Sequence, residues 1–160
     1  MVTSIALMKT VKAAVVAMSV YAPQYTDSAH FLKESEVTCL ARNLYHEARG
    51  EGATGMKLVA QTTRNRVYSG EFPSSYCGVV YERAQFSWTR KPEAPIADMR
   101  SWSLAVEIAA ATIVDIDNLP EFRATHYYNY REIGRPSWPQ RYTEVARHKN
   151  HVFLADMNGW

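Results

Sequence analysis

The chain has 160 residues, 47% of them hydrophobic and 21% charged, which suits one globular domain with its own core and leaves too little for two. A formal net charge of +2 with no run of like charges argues against a nucleic-acid arm. Ten tyrosines and four tryptophans are a rich aromatic supply, but rings line binding grooves and fill cores alike.

The first 22 residues, "MVTSIALMKTVKAAVVAMSVYA", stand apart. They contain no acid, and Lys9 and Lys12 precede an apolar run from Ala13 to Ala22 that is about half as long as a bilayer-spanning helix. A basic start, a short apolar stretch and small residues near its end match a secretory signal peptide; the alternative is an amphipathic helix that stays on the domain. The pattern predicts export and no membrane span. Residues 23–34 read as a linker and 35–160 as a single domain. Cys39 and Cys77 lack CxxC spacing, which argues against a structural zinc site. In an exported protein the two can pair; in cytosol they would be buried thiols.

Ser35 is a good N-cap, with Glu36 in the first turn. From there Val37, Leu40, Ala41, Leu44, Tyr45 and Ala48 recur at helical spacing, and Gly50 is placed to end the helix. A second helix is predicted from Gly55 to Ser69, with Met56, Val59, Ala60, Thr63 and Val67 on its apolar face and Gly70 closing it. "FPSSYCGVVYE" reads as a short Ser-capped helix, "AQFSW" as extended and "TRKPEAPIAD" as a loop. A third long helix is predicted from Ser101 to Asp117, with Trp102, Ala105, Val106, Ala109, Ile113 and Ile116 as its stripe and Asn118 and Pro120 as its stop. "ATHYYNY" and "HVFLAD" are β-prone, and "GRPSWPQ" between them is turn chemistry. Helices first and short antiparallel strands last is an α+β pattern.

Glu47, in "LYHEARGEG", is the residue with the most chemistry in its position. At about 100° per residue it falls on the rim of the first helix's apolar stripe, in line with Leu40 and Leu44. A carboxyl group there is partly desolvated, and desolvation raises its pKa. A carboxylic acid that keeps its proton near neutrality is what cleavage of a glycosidic bond needs at the leaving oxygen. The helix ends within a turn, and glycines at 50 and 52 leave room for a ligand. Geometry alone leaves a second reading open, in which Glu47 is a polar residue bordering the core.

Further stretches then bear on that choice. "LARNLYHEARGEG", "VAQTTRNRV", "FPSSYCGVVYERAQFSW", "HYYNY…PSWP" and "HVFLAD", in this order and spacing, resemble the SleB/CwlJ cell wall hydrolase family over roughly Ser35 to Asp156. That family contains spore cortex-lytic enzymes and related phage and bacterial peptidoglycan hydrolases. The resemblance implies a compact lysozyme-like or lytic-transglycosylase-like domain. It also implies cleavage of peptidoglycan glycan strands at the muramic acid to glucosamine bond, with Glu47 as acid and then base and with no cofactor. One carboxyl group suffices for a transglycosylase, whereas a hydrolysing lysozyme normally uses a second. Glu51, Glu82, Glu93 and Asp98 are candidates that sequence position does not separate, so the one-carboxylate mechanism is favoured.

The resemblance also places Gln85, Phe86, Ser87 and Trp88 along the cleft; the other reading is a strand with Phe86 and Trp88 in the core. It puts Tyr128 and Asn129 near the acid, against a buried tyrosine pair. On strand alternation His126 and Tyr128 share one face, Tyr127 and Asn129 the other. Trp138 either packs its loop or stacks on sugar. Asn65 and Arg66 are read as structural, holding helix ends. His148 and His151 are read as a surface pair rather than half a metal site, and His46, adjacent to Glu47, does not face it. The partner expected is peptidoglycan, met by a monomer in the periplasm or cell wall, or released there by a phage. Two alternatives remain: a zinc-dependent amidase that frees the peptide from the glycan, and a non-catalytic wall-binding module.

Overall fold

The computed structural model describes residues 28–92, 94–115, 119–134, 136–137 and 141–156, with side chains from Glu36 onward. Residues 1–22, Glu93, Ile116 and Trp138 therefore lie outside the described residues. The chain divides into Met1–Lys33 and Glu34–Trp160; the site belongs to the second unit.

Helix α1 runs over Ser28–Ala48. Its start corrects the expected boundary: Ser35 lies inside the helix, not at its cap, and residues 28–34 are helical rather than linker. Glu36 accordingly is no first-turn acid. Its carboxylate reaches across the fold and accepts from the backbone N–H groups of Tyr76 and Cys77. Those donors belong to the first turn of α3, Tyr76–Tyr81, whose N-cap Ser75 also accepts from Gly78 N. The open N–H groups of α3 are thus satisfied by a side chain from α1 as well as by a local one.

After Ala48 the chain makes a 3₁₀ turn, Arg49–Glu51, and enters α2, Gly52–Ser69. Gly52, not Gly50, takes the positive φ that redirects the chain (φ 75°, ψ −171°), a region open mainly to glycine, and Gly70 closes α2 in the left-handed helical conformation (φ 77°, ψ −4°). Helix α4, Met99–Ile113, is capped by Asp98, whose side chain accepts from Arg100 N and Ser101 N. The Tyr45 hydroxyl fixes the approach to that cap by accepting from Ala97 N at 3.2 Å and Asp98 N at 3.1 Å. The apolar stripes meet here: Leu40, Leu44, Ala48, Met56, Val59, Ala60, Ala105 and Ala109 are fully buried. Each fully buried large aliphatic contributes about 1.5–3 kcal/mol relative to leaving it exposed.

The C-terminal part is a three-stranded antiparallel sheet of β1, His126–Asn129, β2, Tyr142–His148, and β3, His151–Asp156, in the order β1-β3-β2. Strand β2 was not anticipated: "YTEVARH" is mostly polar, and it pairs only as the partner of β3, with an irregularity between Glu144 and Ala146. A short helix α5, Tyr130–Ile133, follows β1 directly. The central strand β3 is buried from His151 to Leu154. Asn65 locks this layer to α2 by donating to Phe122 O (2.7 Å) and Ala124 O (2.9 Å), the structural role expected of it.

Candidate active site

Glu47 sits in the last turn of α1, half-buried and facing β1. The Tyr127 hydroxyl donates to Glu47 Oε2 at 3.1 Å. Burial pushes the Glu47 carboxyl above the usual carboxylate range. The Tyr127 hydrogen bond pulls it down, the Glu132 charge adds to the rise, and Arg66 opposes it. The same burial, with the Glu47 charge beside it, drives the Tyr127 phenol far up, so the tyrosine stays a donor.

Tyr127 is held rigidly. Its strand pairs with β3 so that Tyr127 lies opposite Phe153 and Asn129 opposite His151. The Tyr127 ring contacts Phe153 at 5.6 Å and meets His151 edge-on at 5.2 Å. Residues that alternate along a strand point to opposite faces, so with Tyr127 turned to Glu47, Tyr128 projects away from it, beside Arg147. The contact assigned to Tyr128 therefore belongs to its neighbour. Asn129 shares the face of Tyr127, as alternation required, but its side chain is engaged with α5. Its Oδ1 accepts from Arg131 N, and its Nδ2 donates to Glu132 Oε1, both at 3.1 Å. Sequence reasoning missed Tyr127 because both tyrosines of "HYYNY" carry the same chemistry. Strand pairing does not separate them either, since Tyr127 lies opposite Phe153 and Tyr128 opposite Val152, both apolar and fully buried; only the face of the sheet that meets Glu47 does.

The "QFSW" segment is not extended. Only Phe86 has strand geometry, and Ser87–Arg90 form a 3₁₀ turn. Phe86 is buried beneath the Arg66 guanidinium (5.7 Å), so it packs the floor rather than facing a ligand. Gln85 Oε1 accepts from Arg66 Nη1 at 3.2 Å. Arg66 itself is buried, donates through Nε to Thr125 O and lies over the Phe72 ring. It is thus both a strut, as expected, and a cation felt at Glu47. Trp88 stacks on His46 (4.5 Å, 24° between planes), meets Tyr81 edge-on and donates through Nε1 to Asn43 Oδ1 at 3.2 Å. Ser87 is exposed.

The other carboxylates separate clearly. Asp98 is an exposed helix cap. Glu51 is buried under the β2–β3 turn: His148 Nε2 bonds Glu51 O (3.0 Å), Lys149 Nζ donates to Gly50 O (3.0 Å) and Asn150 Nδ2 lies 3.5 Å from Glu51 Oε1. This turn also corrects the expected surface pair, since His151 is buried, and its Nδ1 and Glu51 Oε2 have no hydrogen-bond partner among the described residues. Glu82 is near enough for its charge to act on Arg66. Glu132, not among the sequence candidates, is the carboxylate whose charge reaches Glu47. The Cys39–Cys77 disulfide is formed and ties α1, upstream of Glu47, to the start of α3, which leads toward Gln85 and Trp88.

A family profile described as Cell Wall Hydrolase matches residues 50–154, most of the chain. The chain belongs to the cell wall hydrolase family. The match begins just after Glu47 and takes in Tyr127 and the β2–β3 turn. Similar curated proteins are spore cortex-lytic enzymes. That of Halalkalibacterium halodurans is 28% identical over 122 residues, covering 75% of this chain and 34% of the relative. That of Bacillus subtilis is 29% identical over 121 residues, covering 74% and 37%. The chain therefore spans about a third of the length of these relatives. Among solved structures, the catalytic domain of the Bacillus cereus SleB protein superposes with a TM-score of 0.62 at 24% identity, covering 76% of this chain and 90% of that one. The catalytic domain of the germination-specific lytic transglycosylase SleB from Bacillus anthracis gives 0.62 at 22%, covering 83% and 99%. The lysozyme-like α+β fold expected from the sequence is the fold observed.

Proposed function

We propose that this cell wall hydrolase cleaves peptidoglycan glycan strands at the muramic acid to glucosamine bond, with Glu47 as general acid and then base. The observation that carries the reading is Glu47 itself: a half-buried carboxyl at a helix end, its pKa raised by burial, aimed by Tyr127. The names of the relatives, spore cortex-lytic enzymes and a germination-specific lytic transglycosylase, support it.

In the first step the Glu47 proton passes to the glycosidic oxygen and the bond to muramic acid C1 breaks. In the second, the muramic acid 6-hydroxyl attacks C1 and its proton goes to the Glu47 carboxylate, which restores the acid and leaves a 1,6-anhydro end. Tyr127 bonds the carboxylate as it forms, when a donor there stabilises most. The transglycosylase outcome is favoured because one carboxyl group suffices for it; Asp98 is a helix cap and Glu51 lies buried under the β2–β3 turn, so hydrolysis would call on Glu82 or Glu132 as the second carboxylate. Gln85, Ser87, Trp88, Asn129 and Trp138 are proposed to border the substrate, with Trp88 presenting its ring. The first 22 residues are proposed to direct export, which suits a disulfide-bonded domain.

The test is mass spectrometry of soluble products from purified peptidoglycan, using wild type and Glu47→Gln, with and without chelator. Anhydro-muramic ends from wild type alone, unchanged by chelator, are expected. Reducing muramic ends would make the enzyme a hydrolase. Free peptides that disappear with chelator would instead establish an amidase, for which no group of three His, Cys, Asp or Glu side chains converges among the described residues.

A further inference from the structure

We propose that Trp88, flanked by His46 and Tyr81, forms a stacking subsite for a pyranose ring of the glycan strand, and that Asn43 is the positioning residue that sets its indole. The inference rests on the reading of this chain as a glycan-cleaving enzyme. The geometry begins on α1. Cys39, Asn43 and Glu47 follow one another at intervals of four, so they form one row along the helix, with neighbouring Cβ atoms about 6 Å apart. Each member of the row reaches a different part of the fold. Cys39 is bonded to Cys77 in α3, Asn43 Oδ1 accepts from Trp88 Nε1 at 3.2 Å, and Glu47 Oε2 accepts from Tyr127. His46, three residues after Asn43, is also its neighbour on the helix surface, and the Trp88 ring stacks on it at 4.5 Å with 24° between planes. The indole is thus fixed at two points of α1, one turn from Glu47.

Asn43 occupies a place where packing alone calls for an aliphatic side chain. It is fully buried, and its Nδ2 has no hydrogen-bond partner among the described residues. Burying an amide with a donor unmet costs stability that a leucine of the same branched shape would not. What the amide supplies is direction: an indole N–H only donates, and Asn43 Oδ1 is the acceptor it meets. Trp88 stands on the short turn Ser87–Arg90, and this bond with the His46 stack sets the plane of its ring. The platform is open to a ligand. Trp88 and His46 are partly exposed, and Tyr81, 47% exposed, meets the indole edge-on at 5.9 Å. Tyr81 is one turn after Cys77 on α3, so the disulfide that anchors α3 to the Asn43 row also places this third ring. A pyranose has apolar C–H faces that rest on rings and hydroxyls at its edge that reach water or polar groups. A half-exposed set of three rings beside Glu47 matches that chemistry.

The experiment measures binding of a peptide-free peptidoglycan tetrasaccharide to the full chain by calorimetry. It uses Glu47→Gln as the parent, so that the sugar is not cleaved, and adds Asn43→Leu, Trp88→Phe or both. Leucine keeps the branched shape and phenylalanine keeps a ring, while each removes the Asn43–Trp88 bond. Asn43→Leu is expected to weaken binding about three- to ten-fold, and to add nothing further once Trp88→Phe is present. With Glu47 restored, Asn43→Leu should raise KM on purified glycan strands by a similar factor and hold kcat within about two-fold. A parent that does not bind, an unchanged affinity, losses that add in the double variant, or a fall in kcat with KM unchanged would overturn the proposal. Should Asn43→Leu fail to fold, the Trp88 indole N–H resonance of the parent, identified by its loss in Trp88→Phe, decides instead. It is expected to shift on saturation with the tetrasaccharide, and a resonance that stays in place overturns the subsite. Failure of the glycan-cleaving reading would appear separately, as an active Glu47→Gln enzyme or as free peptides among the products of wild type.

Discussion

Replacing Tyr127 with Phe removes one hydroxyl and leaves the ring against Phe153 and His151. The lost hydrogen bond, 3.1 Å to Glu47 Oε2, is one to a group that becomes charged in the first step proposed for it. Hydrogen bonds to charged groups contribute about 1.5–3 kcal/mol, which corresponds to a roughly ten- to 150-fold fall in kcat. A second effect has a sign of its own. The bond lowers the Glu47 pKa, so its removal lets burial raise that pKa further. The acid then stays protonated to higher pH, and the alkaline limb moves up while the plateau drops. Release of soluble muropeptides across a pH series reads both. A plateau within two-fold of wild type, or a limb that moves down, would refute the role given to Tyr127. A merely destabilised protein would lose activity without an upward shift, and a thermal melt run alongside identifies that case.

Other consequences can be measured on the folded protein. Cys39→Ser with Cys77→Ser opens a cross-link over a sequence separation of 38, which is worth about 4 kcal/mol in the chain-entropy account; denaturant unfolding should show a loss of that order, absent if the wild type is first reduced. Gly55→Ala sets a Cβ 2.2 Å from Glu51 Cβ and 3.2 Å from His148 Cδ2, so the turn after α1 must shift, at a cost of about 1–3 kcal/mol in unfolding measurements. His126 is held by burial and the Arg66 charge at a pKa of about 4, below the ordinary histidine value of 6.5. Its unfolded form therefore binds the proton first, and its contribution to stability is present above about pH 6.5 and falls as the pH drops toward 4; His126→Gln should flatten that part of the stability curve relative to wild type.

Much of the site was readable in the chain because it depends on local periodicity. Leu40, Leu44 and Ala48 fix which side of α1 is buried, and a carboxyl at position 47 must then lie at the edge. The same helical rule identified α2 and α4, and Ser75 announced α3. The turn glycine was misplaced at Gly50 because the helix tightens into a 3₁₀ turn before Gly52 redirects it. Strand β2 was invisible because its side chains are mostly exposed or half-buried and no alternation marks it; only pairing with β3 makes it a strand.

What the sequence determined by itself was the helix faces, the α+β order, the place of Glu47 at the rim of the buried stripe and a cysteine pair able to cross-link. The choice of Tyr127 over Tyr128, the burial of His151 and the docking of the β2–β3 turn on Glu51 were decided by tertiary structure. The physical reason is range. A helix face is set by contacts a few residues apart, written in the spacing of apolar side chains. The company Glu47 keeps is set by Tyr127, 80 positions away in sequence, brought there by strand register and by backbone groups that must find partners when buried.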